Sequence, residues 1–242
     1  VTLDFPGYGL SPEASADLEV ADMADLVESF VEALDLDDYT LVVHDLGGPL
    51  GLVAASRDPE RVAGLVLSQT FAWTPDKAAL RAMFRIVGSR PFTALDRATN
   101  LIPRMSAGKS GVGKHLDEAG RRAFLGPFQD HGVRGRFHTT MRSAFRDRSL
   151  TDAAEQAATR IFRERPVLTI FGEKNDPFGF QARHAEVFPD HEGVVVEGGN
   201  HFPMMDDPDL FAASLREWHG SRLGAYRPPA APESIGQPTS VR

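Results

Sequence analysis

The segment LVVHDLGGPLGL, residues 41–52, constrains this chain more than any other stretch. Leu41, Val42 and Val43 are bulky apolar residues of the kind that fill a buried strand. Asp45 stands at the tip of that strand. Gly47 and Gly48 follow, and a run of small and apolar residues then reads as a helix. A strand that passes into a helix within two residues makes a tight, strained turn, so the positions just past it must be small. The helix N-terminus presents unpaired N–H groups and the positive end of a dipole. A carboxylate held there is stabilised as an anion, and so is any oxyanion that develops beside it.

The flanking sequence extends the pattern. "VTLDF" at 1–5 reads as a short strand, and "PGYGLSP" after it as a loop. Met23, Leu26, Val27, Phe30, Val31 and Leu34 recur at spacings of three and four, which predicts an amphipathic helix over 18–34. Strands are predicted at 39–44 and 62–69, with a helix over 47–57 that Asp58-Pro59 stops. The order β-α-β-α-β predicts a parallel sheet. From 75 to about 165 the rhythm changes to helical, arginine-rich sequence with spaced phenylalanines and a glycine loop at Gly108, Gly111 and Gly113. The first rhythm then resumes, with strands at 166–172 and 193–198 and helices at 180–188 and 207–219. The expected organisation is an α/β core over 1–73 and 166–222, a helical insertion over 74–165, and a disordered Pro-rich tail over 223–242.

Charge follows the same division. Residues 1–75 carry a net −12, residues 76–165 a net +9 and residues 166–242 a net −5. A basic lid resting on an acidic body accounts for this, and no base-stacking or groove-reading motif supports a nucleic-acid partner. There is no cysteine, which excludes a disulfide framework, a thiol nucleophile and thiolate metal ligands. His115, His131 and His138 lack the spacing of a metal site. No apolar run approaches the roughly 20 residues needed to cross a bilayer, and no signal peptide is visible. The expectation is a cytoplasmic protein that does not engage the membrane.

A strand, a nucleophile and a tight turn into a helix make the nucleophile elbow of an α/β-hydrolase. Serine is usual there, whereas this chain has Asp45. A carboxylate attacks saturated carbon, displaces a leaving group and becomes an alkyl ester. Hydrolysis of that ester calls for a histidine base and an acid that orients it. Both follow in order. "GEKNDPFG" places Asp176 after strand 166–172, with Glu173 a rival read as surface. "GGNHFPMMDDPDL" places His201 after strand 193–198. Both loops lie past the C-terminal ends of strands, where open α/β sheets carry their sites. The N–H of Leu46 is the expected first oxyanion donor. His44 is expected to make a structural hydrogen bond, and Trp218 to pack in the core.

On these residues the chain resembles the Asp-nucleophile α/β-hydrolases, and within them the haloalkane dehalogenases. The similar segments are "LDFPGYGLSP", "VVHDLGGPLG", "RVAGLVLSQTFAW", "FLGPF", "FGEKNDPF" and "GGNHFPMMDDP", in that order across residues 1–220. The resemblance implies Asp45 as nucleophile, His201 as base and Asp176 as acid. It implies a helical cap over an apolar pocket that takes a small apolar substrate, with water as co-substrate, halide as product, and neither metal nor organic cofactor. Some relatives carry the acid after the strand that ends near 69, where this chain reads "SQTFAW". The family usually has Trp directly after the nucleophile as a halide donor. Leu46 stands here instead, leaving Trp73 as the candidate. In the family further strands and a His-Gly loop precede the first segment, so the α/β-hydrolase fold is expected here without its N-terminal strands, as a truncated chain. An epoxide hydrolase is the nearest alternative. It would use cap tyrosines, but Tyr8, Tyr39 and Tyr226 all lie outside 74–165. A haloacid substrate would need an arginine beside Asp45. An inactive hydrolase-like protein is the non-enzymatic alternative, and the elbow without Ser disfavours an esterase.

Overall fold

Among the described residues, four strands and eleven α-helices follow one another along the chain. The computed structural model describes residues 1–8, 11, 18–74, 77–109, 111–146 and 148–224. The first half of the core comprises α1 (Val20–Ala33), β1 (Tyr39–Asp45), α2 (Gly47–Ala55) and β2 (Val62–Thr70). Six helices follow: α3 (Ala78–Val87), α4 (Arg90–Thr99), α5 (Leu101–Ser106), α6 (Glu118–Leu125), α7 (His131–Phe145) and α8 (Ser149–Gln156). The chain then returns to β3 (Val167–Gly172), α9 (Phe180–Val187), β4 (His191–Val196), α10 (Pro203–Asp206) and α11 (Pro208–Arg222). The strands form one parallel sheet in the order β1-β2-β3-β4.

β2 and β3 are buried along nearly their whole length, as expected of parallel strands covered on both faces. Side chains alternate between the two faces. Leu65, Leu67 and Val167 enter a core with Leu52 of α2, Ala157, Ala158 and Phe162. Val66, Leu168 and Ile170 point the other way and pack on Trp218 of α11. The segment after α8 thus belongs to the sheet's own core, where Ala157–Ile161 winds as a single π-helical turn. His184 of α9 lies in the same region with no exposed surface. One ring nitrogen bonds the Phe180 carbonyl at 2.8 Å, and the ring lies against Trp73.

Residues 1–5, expected as a strand, form none. A strand must pair its N–H and C=O groups, and among the described residues the outer edge of β1 has no neighbour. Val42 on β1 stays 50% exposed. The segment is held by packing instead: Phe5 and Tyr8 rest on Val20, Met23 and Leu50. The strand expected at 193–198 lies at 191–196, because the chain turns at Gly198, whose φ is +64°. The expected tail falls, from residue 225 on, outside the described residues.

The helices after β2 are joined by polar contacts as much as by apolar ones. Asp96 of α4 and His138 of α7 are both about 1% exposed and meet at 2.6 Å, while the other Asp96 oxygen accepts from the Ile102 N–H. Ala144 and Phe145 of α7 pack over α1 and the start of α2. Arg146 reaches Glu19 at 3.1 Å and Lys114 reaches Asp206 at 2.6 Å, so basic side chains of the insertion do pair with acids of the body.

Candidate active site

Asp45 ends β1 with φ at +50°, a left-handed conformation that costs free energy for any residue with a side chain. The turn is locked from beneath. The hydroxyl of Thr70, at the end of β2, donates to the Asp45 carbonyl. Thr70 also explains Gly48: a Cβ there would run into the Thr70 hydroxyl, whereas at Gly47 it would meet nothing closer than 3.9 Å. Only the second of the two glycines is thus demanded by space.

The Asp45 side chain keeps 55% of its surface open and lies 3.1 Å from His201 Nε2 through Oδ2. Desolvation by the surrounding protein raises its pKa. The His201 hydrogen bond and charge and the Leu46 N–H together outweigh that and hold the carboxyl below its ordinary value. Asp45 is therefore an anion at neutral pH, within hydrogen-bond reach of an imidazole and a backbone donor. His44 behaves as expected: its Nε2 bonds the His201 carbonyl at 2.7 Å and its ring stacks on Phe202. Burial pushes the His44 pKa down, which leaves a neutral ring to donate that bond.

His201 is carried on a loop fixed by bonds from distant parts of the chain. Asn200 N–H donates to Asp206 at 2.6 Å, and Asp206 also meets Lys114 at 2.6 Å and His115 at 2.8 Å. The Asp206 side chain is 3% exposed. Burial raises its pKa, but the bonds from Lys114, Asn200 and His115 bring it below the ordinary value. Glu173, expected at the surface with no role, accepts from the Gly198 N–H at 2.8 Å and ties the β3 loop to the β4 loop.

Two sequence expectations are corrected. Asp176 does not meet His201: its two oxygens accept from the Phe180 and Gln181 N–H groups at 2.7 and 2.9 Å, so the carboxylate neutralises the unpaired donors at the start of α9. The side chain at His201 Nδ1 is Asn175, with Nδ2 at 3.1 Å. Trp73 does not face the site. It is 1% exposed, lies in the sheet core, and its ring is covered by His184, Phe180 and the Arg183 guanidinium. Sequence reasoning also missed Gln69. Its φ is +43°, and its amide accepts from Gly172 N–H and donates to the Asn175 carbonyl, both at 2.8 Å. A glutamine inside the apolar run LVLSQTF was the available signal, because a buried amide needs partners.

Among the described residues, no helix is long and apolar enough to cross a membrane, and no three His, Asp or Glu side chains gather as metal ligands would. A family model described as alpha/beta hydrolase fold matches residues 1–208. Haloalkane dehalogenase 2 of Mycobacterium tuberculosis H37Rv is 28% identical over 226 residues, covering 91% of this chain and 78% of its own. The crystal structure of haloalkane dehalogenase DbeA from Bradyrhizobium elkani USDA94 superposes with a TM-score of 0.76 at 21% identity, covering 91% of this chain and 80% of that one. The chain belongs to the α/β-hydrolase fold family, and it is a hydrolase that resembles the haloalkane dehalogenases.

Proposed function

We propose that this protein hydrolyses the carbon–halogen bond of small haloalkanes through an ester formed on Asp45. The observation that carries the reading is an aspartate, not a serine, at a strained elbow 3.1 Å from a histidine. The Asp45 carboxylate attacks the halogen-bearing carbon. A C–O bond forms, the C–X bond breaks, and the halide leaves with the electron pair. Water then attacks the Asp45 ester carbonyl and gives a proton to His201. The tetrahedral oxyanion faces the Leu46 N–H. Its collapse breaks the bond to the alkyl oxygen, which takes the proton from His201 and leaves as the alcohol. The Asp45 carboxyl gives its remaining proton to water and is restored as the carboxylate. Neither step calls for a metal or an organic cofactor. Helices α3 to α7 form the cap in this reading, and the substrate is a small apolar molecule. The sequence has no tyrosine between 74 and 165 to protonate an epoxide oxygen, which favours a leaving group that departs without a proton.

The test is halide release from short bromo- and chloroalkanes beside an aryl epoxide. Asp45→Asn is expected to lower turnover at least about 10⁴-fold. His201→Gln is expected to release one halide per chain and stop, with the mass of Asp45 increased by the alkyl group. Epoxide opening without halide release, or full activity in either variant, overturns the reading.

A further inference from the structure

We infer that Asn175, a neutral amide, is the positioning residue that orients His201, where a hydrolase triad would place a carboxylate. The inference deepens the proposed function and rests on it for its catalytic consequence. It comes from three linked contacts. Asn175 Nδ2 lies 3.1 Å from His201 Nδ1. The Asn175 backbone is held by Gln69, whose amide spans the Asn175 carbonyl and the Gly172 N–H. The neighbouring carboxylate, Asp176, spends both oxygens on the start of α9.

An amide can do at this position what a carboxylate cannot. A carboxylate only accepts, so it keeps the histidine proton on Nδ1. With Asp45 free and anionic, the favourable tautomer carries its proton on Nε2, pointing at Asp45 Oδ2, and Nδ1 then needs a donor. Asn175 Nδ2 supplies it. Once Asp45 is an uncharged ester, Nε2 must accept a proton from water, so the histidine proton must sit on Nδ1. Half a turn of the Asn175 amide presents its oxygen to that proton. One side chain thereby serves both states. The imidazolium formed in the second step has no carboxylate behind it, so ester hydrolysis is slower than it would be with a carboxylate at this position.

The groups facing His201 are Asp45 and the His44 ring, with Asp206, Lys114 and His115 acting on the preceding Asn200. The experiment follows the imidazole signals of His201 by nitrogen-15 NMR across pH, in the full chain and in Asn175→Asp, Asn175→Ala and Asp176→Asn. Asn175→Asp, which keeps shape and adds charge, is expected to raise the titration midpoint by about one pH unit or more, and the acid limb of ester hydrolysis moves up with it. Asp176→Asn is expected to leave the midpoint in place. Asn175→Ala is expected to slow ester hydrolysis about 10²-fold while keeping the first halide burst, so that alkylated protein accumulates. A midpoint that falls in Asp176→Asn and stays fixed in Asn175→Asp would overturn the inference. A parent chain that forms no ester with any haloalkane would refute the proposed function, and the NMR titration would still decide the role of Asn175.

Discussion

The two halves of the site are held in opposite ways. The Asp45 turn is local: a strand end, a left-handed residue, a close-packed glycine and one hydroxyl from the adjacent strand. The His201 loop is held from afar, through His44 and Asn175, through Lys114 and His115 acting on Asp206, and through Glu173 at its base. On the proposed mechanism, a nucleophile that must attack in one geometry is built into the backbone, and a base that must serve two steps hangs in a network of polar bonds, whose members can exchange donors and acceptors.

Substitutions can separate the two designs. The largest effect is expected from Gly172→Ala. Its Cβ would strike the backbone of Asn200, one residue before His201, and no side-chain rotation relieves that. A loss of about 3 kcal/mol in denaturant unfolding is expected, with ester hydrolysis failing before the first halide burst does. Gly48→Ala is expected to cost less, about 2 kcal/mol, because it meets the Thr70 side chain and not backbone, though Thr70 must shift and its bond to the Asp45 carbonyl is strained. Here the halide burst should weaken first. Equal loss of both steps in both variants would dissolve the contrast.

Asp206→Asn can keep the bond from Asn200 but loses the charge that pairs with Lys114 and His115, and should cost about 1–2 kcal/mol at neutral pH. The Asp206 carboxyl titrates below 3.8 in the folded chain. Its contribution is therefore complete above that value and lost as pH falls through the folded pKa. Parent and variant should converge in acid unfolding curves only below 3.8, and convergence at higher pH would remove Asp206 from the network. The smallest effect is expected from Trp73→Phe: about 1 kcal/mol of stability with halide release unchanged within the error of the assay. A sharp drop in halide release would return Trp73 to the site.

The elbow was legible because its causes are adjacent in sequence: an acid, two glycines and an apolar helix. Most of the sheet was legible for the same reason, since continuous apolar runs announce strands buried on both faces. The failures share a different cause. Asp176 and Asn175 are neighbours on one loop, and which of them faces His201 depends on where α9 begins and what caps it. Trp73 could be placed only by knowing that Arg183 and His184, more than a hundred residues on, cover its ring. Glu173 looked like surface charge until the loops it joins were in space. Residues 1–5 carry a strand pattern, but a strand also needs a neighbour, which no pattern within the segment supplies.

His184 gives the fold a weak point in acid. Burial drives its pKa from 6.5 to about 3, against a smaller opposing pull from the Phe180 carbonyl. An unfolded chain takes up a proton at this ring below 6.5, and the folded chain refuses it until about 3. Stability from this residue is thus intact above 6.5 and drains away below it at roughly 1.4 kcal/mol per pH unit. Mildly acidic purification or storage buffers would therefore start to loosen the sheet core through α9 while the Asp45 carboxylate remained ionised.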